Sequence, residues 1–229
     1  MVDKYFSTNR ARWEEMVGHH MRSRFYDLEG FKQGKNSLMC VEREELGEVA
    51  GKTILHSQYH FGMDSLSLVR LGATVTGIDF SREGIQKARE LAMELNLPAR
   101  FIQTNVYDIP KMLSDSFDIV FTTYGVLCWL PTLLTWVKIL ADRLKPGGFL
   151  YLSDTHPFGA LLDESITEEF RIKYPYFNEH QVFRFDEPGT YTDIDFPIEH
   201  TVTYEWIHSL ADILNAIIQA GLEIGRAHV

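Results

Sequence analysis

The chain predicts an α/β fold built on a doubly wound, mostly parallel sheet. Three observations carry this. Short apolar runs alternate with amphipathic stretches from Lys52 to Asp154, as strands alternate with covering helices. The run FDIVFTTYG, from Phe117, is apolar almost throughout, as suits a strand covered on both faces. The segment KTILHSQYHFGMDSLSLVRLGATVTGIDFS, Lys52 to Ser81, reads as strand, tight turn, helix, loop and a second strand ending in an acid.

Composition narrows the function. With 229 residues and 45% hydrophobic content the chain can bury a full core. A net charge of −10 argues against a nucleic-acid partner, because phosphate binding needs a basic face. There is no long apolar run, signal peptide or lipidation motif, so a soluble cytoplasmic protein is expected. Cys40 and Cys128 form neither a disulfide framework nor a metal pattern, and are expected to be reduced packing residues.

Residues 1–50 predict a helical arm or lid, since aromatics such as Tyr5, Trp13, Phe25 and Tyr26 mix with charges at helical spacing. His19 and His20 are neighbours and point apart on a helix, which argues against a metal site. Residues 51–155 are the sheet core. Thr53–Leu55 begins the first strand, Gly62 sits in the turn, and Asp64 is the expected N-cap of a helix carrying Leu66, Leu68, Val69 and Leu71. Gly72 closes that helix, and Ala73–Ile78 leads to Asp79 at a strand end. Ser81 caps the next helix, through Ile85, Ala88, Leu91, Ala92 and Leu95, which Asn96 and Pro98 end. Arg100–Gln103 is the third strand, TNVYDIP the loop beyond it, and FDIVFTTYG the fourth strand. Leu130-Pro131 opens a helix with Leu133, Val137, Leu140 and Leu144 on its apolar stripe, LKPGG stops it, and FLYLSD is the fifth strand.

Residues 156–206 are an insertion. QVFRFDE and TVTYEW alternate as strands of an antiparallel flap, bounded by Pro188-Gly189 and Pro197. Tyr174, Tyr176, Phe177, Phe183, Phe185, Tyr191, Phe196 and Trp206 could form a hydrophobic substrate wall, or only pack the flap onto the core. Residues 207–229 hold a helix capped by Ser209 and Asp212, stopped at Gly221, with a strand starting at Leu222–Ile224.

The order of strand-turn-helix, Asp79, TNVYDIP, FDIVFTTYGVLCWL and LKPGGFLYLSD resembles the class I S-adenosylmethionine-dependent methyltransferases, over about Lys52 to Asp154. FDIVF followed by LKPGG is the most telling pair. The resemblance implies a Rossmann-like sheet and methyl transfer from S-adenosylmethionine to an O or N atom of a small molecule, with S-adenosylhomocysteine as product. It is to a small-molecule branch carrying an HxxxHFGxD-type turn. Where the family usually has an acid and a glycine-rich run, this chain has His56, Gln58, His60 and Gly62, with only Gly62 kept. Side chains of Gln58, Tyr59 and His60 must then fit around the methionine end. The resemblance further implies that Asp79 holds the ribose hydroxyls and Phe80 packs on the adenine. Asn105 would meet the adenine amino group, with the Val106 backbone beside the ring. Tyr124 and Gly125 would line the methionine or substrate side.

Trp13, Tyr124, Tyr176, Phe183 and Trp206 are the expected substrate-binding residues. His156 follows the fifth strand on the ligand side and is the candidate general base, an imidazole being the side chain type suited to taking a proton from a hydroxyl or amine. Alignment and desolvation alone could also suffice. No third ligand joins His56 and His60, so no metal is expected. Two alternatives stand beside the enzyme. One is a non-catalytic binder of the same sulfur nucleosides. The other is a nicotinamide-dependent oxidoreductase, which the missing G-x-G-x-x-G and the LKPGG strand entry oppose. The resemblance also implies a last antiparallel strand that the chain lacks after GRAHV. An exposed sheet edge would be a liability for aggregation or a site for pairing with a second copy as a homodimer.

Overall fold

A computed structural model of the chain describes residues 2–163, 165–166, 168–179, 181–192 and 197–226. Five strands form one parallel sheet: β1 (Thr53–Ser57), β2 (Thr74–Asp79), β3 (Arg100–Gln103), β4 (Phe117–Thr123) and β5 (Leu144–Ser153), in the order β3-β2-β1-β4-β5. Strand order reverses between β1 and β4, which opens a crevice beyond their carboxyl ends. Ile54 pairs with Val75 and Ile119, so these side chains share one face, packed with Leu68 and Phe121. Leu55 and Val120, one residue on, point to the other face and join Trp136 and Leu140.

The arm is three helices, α1 (Val2–His20), α2 (Leu28–Lys32) and α3 (Cys40–Leu46). Helices α4 (Met63–Arg70), α5 (Arg82–Glu94), α6 (Ile109–Met112), α7 (Leu133–Ala141) and α8 (Leu210–Gln219) follow in the core. β6 (Val182–Asp186) and β7 (Val202–Trp206) pair antiparallel as the inserted flap. Ser81 and Ser209 cap α5 and α8 as their sequences predict, Ser209 in a reciprocal pair with Asp212.

Five expectations are corrected. Asp64 is not the N-cap of α4: Gly62 takes that place at φ +89°, and Asp64 lies in the first turn. TNVYDIP is not all loop, because it contains a short 3-10 turn and α6. LKPGG does not stand between helix and strand. Leu144 already pairs with Phe117, and the irregularity is absorbed inside β5 by a register shift. Residues 222–226 carry no strand. Cys40 is exposed rather than packed. Among the described residues β5 is an edge of the sheet, with Phe149 exposed on it.

Candidate active site

The carboxyl ends of β1, β2, β3 and β4 feed one cavity of about 780 Å³. Its floor is the residues just beyond each strand: Gln58 to Gly62, Asp79 to Ser81, Thr104 to Val106, and Thr123 to Val126. The arm supplies Asn9, Trp13, Tyr26 and Glu42 to its walls, and the insertion supplies Tyr191.

The β1 loop is held in an unusual shape. Gln58 and His60 both have φ of 60°, a left-handed conformation that costs a side-chain-bearing residue on the order of 1–3 kcal/mol. The sheet holds them there. The Gln58 N–H donates to the Ile78 carbonyl at 2.7 Å, and the His60 N–H to Asp79 Oδ2 at 3.0 Å. Gly62 is irreplaceable for a second reason: a Cβ there would stand 2.9 Å from that of Ala88.

Asp79 is buried, and the Ser81 N–H donates to its Oδ1 at 2.9 Å. Burial pushes its carboxyl up to about 7, against backbone N–H groups that favour the ion, with Glu14 adding to the rise. Each oxygen keeps a lone pair for a further donor. Glu14, from α1, sits over the start of α5 and accepts from the Arg82 N–H at 2.8 Å and the Glu83 N–H at 2.6 Å. A carboxylate is favourable at that helix end. On the far side of the cavity, the Gly125, Val126 and Leu127 N–H groups donate to Asp154, which fixes the loop carrying Tyr124.

A histidine pair joins arm, loop and insertion. His20 Nδ1 and His60 Nε2 are 2.9 Å apart, and His20 Nε2 meets Thr190 Oγ1 at 2.7 Å. Burial keeps both rings neutral, lowering His20 to about 4 and His60 well below its ordinary value. Tyr26 and Tyr191 hydrogen-bond hydroxyl to hydroxyl beside them, and Trp13 lies edge-on to His60 and to Trp129. His56 is also neutral, pushed down to about 3 by burial, with Nδ1 2.8 Å from Ser65 Oγ.

Gln58, Tyr59, His60, Gly62, Asp79, Phe80, Asn105, Val106, Tyr124 and Trp13 all line this cavity. Four other expected residues do not. His156 is exposed, and its Nδ1 accepts from the Phe158 N–H at 3.2 Å, a local turn outside the cavity. The Tyr176 hydroxyl accepts from the Leu210 N–H at the start of α8. Phe183 packs edge-on against Tyr174. Trp206 is buried beside Tyr5 of α1, which lies between β7 and the cavity. Phe196 falls outside the described residues. Sequence reasoning missed Glu42 and Asp64 as lining residues of the cavity, and missed the contact of His20 with the lining residue His60. Among the described residues no three His, Cys, Asp or Glu side chains gather as a metal site. No helix there is long and apolar enough to cross a membrane.

The donor set suits S-adenosylmethionine. The cavity wall carries Asp27, Glu42, Asp64 and Asp79 against Lys35, and Lys35 is 2.8 Å from Asp27. A sulfonium with one ammonium and one carboxylate is a net cation, and this wall is net negative. The Gln58 Oε1 and Thr123 Oγ1 atoms are buried without hydrogen-bond partners, as acceptors awaiting a ligand would be.

Comparisons with known proteins agree. The model of a methyltransferase domain matches residues 61–152. A ubiquinone biosynthesis O-methyltransferase of Photorhabdus laumondii is 32% identical over 172 residues, covering 73% of this chain and 71% of its own. Among solved structures, an S-adenosylmethionine-dependent methyltransferase from Mesorhizobium loti shares the fold, with a TM-score of 0.59 and 19% identity over 85% of this chain and 84% of its own. One from Clostridium acetobutylicum does so at a TM-score of 0.56 and 15% identity, over 82% of this chain and 78% of its own. With a Rossmann-like sheet and a net-negative cavity at its switch point, this chain belongs to the class I S-adenosylmethionine-dependent methyltransferases.

Proposed function

We propose that the cavity binds the methyl donor with its ribose on Asp79 and its adenine against Phe80, Asn105 and Val106, and methylates a hydroxyl of a small, flat, apolar acceptor. The observation that carries this is Asp79, buried at the end of β2 inside the shared cavity, with lone pairs left after its two backbone bonds. The bound donor supplies an electrophilic methyl group on a sulfonium. The chain's own residues supply place and dryness. Trp13, Tyr26, Trp129 and Tyr191 present apolar faces to the acceptor and exclude water. The neutral His20–His60 pair adds no charge that would repel a cationic donor. Support for an oxygen acceptor comes from the aromatic wall together with relatives named as O-methyltransferases. A small molecule rather than a nucleic acid suits the net charge of −10, and a cytoplasmic setting suits the two free cysteines.

Titration calorimetry tests the ribose assignment. Asp79→Ala removes both acceptors and should weaken S-adenosylhomocysteine binding by about 100-fold, the scale of losing two hydrogen bonds to a charged group. Unchanged affinity in a folded variant would remove Asp79 from the site.

A further inference from the structure

Two further carboxylates share the cavity with Asp79, and among the described residues neither forms an ion pair. Glu42 comes from α3 and Asp64 from the first turn of α4, and both line the cavity. Glu42 is 1% exposed. The Met39 N–H donates to its Oε2 at 2.6 Å, and the Tyr124 hydroxyl approaches the same carboxylate, while Oε1 makes no hydrogen bond of ordinary geometry. Ser37 Oγ donates to Asp64 Oδ1 at 2.5 Å. Thr123 Oγ1, at the end of β4, is a third buried acceptor on the same wall with no partner. Burial and the neighbouring Asp64 push the Glu42 carboxyl up to about 7, and burial raises Asp64 too. Two buried acids in one cavity, one of them raised further by the other, are costly as ions unless something positive joins them. The lysine on the wall, Lys35, is engaged by Asp27. His56 at the end of β1 is neutral, so it offers no counter-ion and no negative charge of its own.

We infer that Glu42 and Asp64 form the subsite for the ammonium group at the amino-acid end of the methyl donor. This rests on the placement of the ribose on Asp79. The strand order then sets the direction. Adenosine at the ends of β3 and β2 leaves the amino-acid arm to cross the β1 loop toward the start of α4, where Asp64 follows Gly62 by two residues and shares the cavity with Glu42 and Thr123. An ammonium has three donors and no acceptor, which matches two carboxylates and a hydroxyl. The role that a carboxylate at the end of β1 could fill is thus moved to α3 and α4, where His56 leaves it open.

Two ligands separate this subsite from the rest of the cavity: S-adenosylhomocysteine, which carries the ammonium, and 5′-methylthioadenosine, which has the nucleoside without it. Calorimetry on the full chain should show Glu42→Gln and Asp64→Asn each weakening S-adenosylhomocysteine by about tenfold or more, the loss of one charge-assisted bond. Both variants keep their shape and their acceptor oxygens, so 5′-methylthioadenosine should bind them as it binds the wild type. Equal loss for both ligands, or no loss for S-adenosylhomocysteine, overturns the assignment. A wild-type chain that binds neither ligand overturns the ribose placement instead.

Discussion

The carboxyl of Asp79 sets a pH dependence on nucleoside binding that can be worked from the structure. Burial raises it to about 7 in the ligand-free protein. Ribose hydroxyls donate hydrogen bonds, and the ionised form accepts them best. The proton therefore competes with the ligand, and affinity rises with pH until the group is fully ionised. With that pKa, about one carboxyl in ten is ionised at pH 6 and about nine in ten at pH 8. Affinity for 5′-methylthioadenosine should thus rise about tenfold across those two units, and binding at pH 6 should release about one proton per ligand. The choice of ligand matters, because Glu42 also titrates near 7 but the missing ammonium leaves it unengaged. His20 and His56, at about 4 and 3, stay neutral throughout. Calorimetry in two buffers of different ionisation heat reads both quantities. Flat affinity between pH 6 and 8 would refute the reasoning, and Asp79→Asn should abolish the slope.

Two further outcomes are expected. Gly62→Ala forces a Cβ against Ala88 at a φ of +89°, and should lower unfolding free energy by about 2 kcal/mol or more in a denaturant titration; an unchanged midpoint would show the turn relaxes freely. His156→Ala should leave the methylation rate unaltered, since the ring lies outside the cavity; a loss of about 100-fold, the worth of a general base, would return it to the mechanism.

Much of the core was legible because its signals are local. Apolar runs fixed the strands, Ser81 and Ser209 marked helix starts, and Asp79 fell at a strand end where ligands bind. The FDIVF and LKPGG pair has a physical basis. Asp118 accepts from Thr53 N–H and Oγ1 and from Lys145 Nζ at 2.9 Å, which holds its carboxyl well below the usual range. A Cβ on Gly148 would meet the Asp118 carbonyl at 2.8 Å. What stayed hidden depends on long-range placement. His20 meets His60 and Thr190 only because α1 crosses the loop. The flap aromatics looked like a cavity wall, yet α1 intervenes, and among the described ones Tyr191 alone lines it. Glu42 drew no reading at all, since burial of an acid leaves no trace in sequence pattern.

Helix α1 is fastened on two sides, and the fastenings differ in kind. Toward the flap, Asn9 exchanges two bonds with the Tyr204 backbone, Arg12 reaches the Glu187, Gly189 and His200 carbonyls, and Glu15 takes the Glu199 and His200 N–H groups. Toward the core, the fastenings are Glu14 on the tip of α5, the contact of His20 with His60, and apolar packing of Val17, Phe6 and Trp13. Glu14 thus ties the arm to the loop that carries Asp79: it holds Ser81 and the first N–H groups of α5 two to four residues beyond that carboxylate, and its charge adds to the rise of the Asp79 pKa.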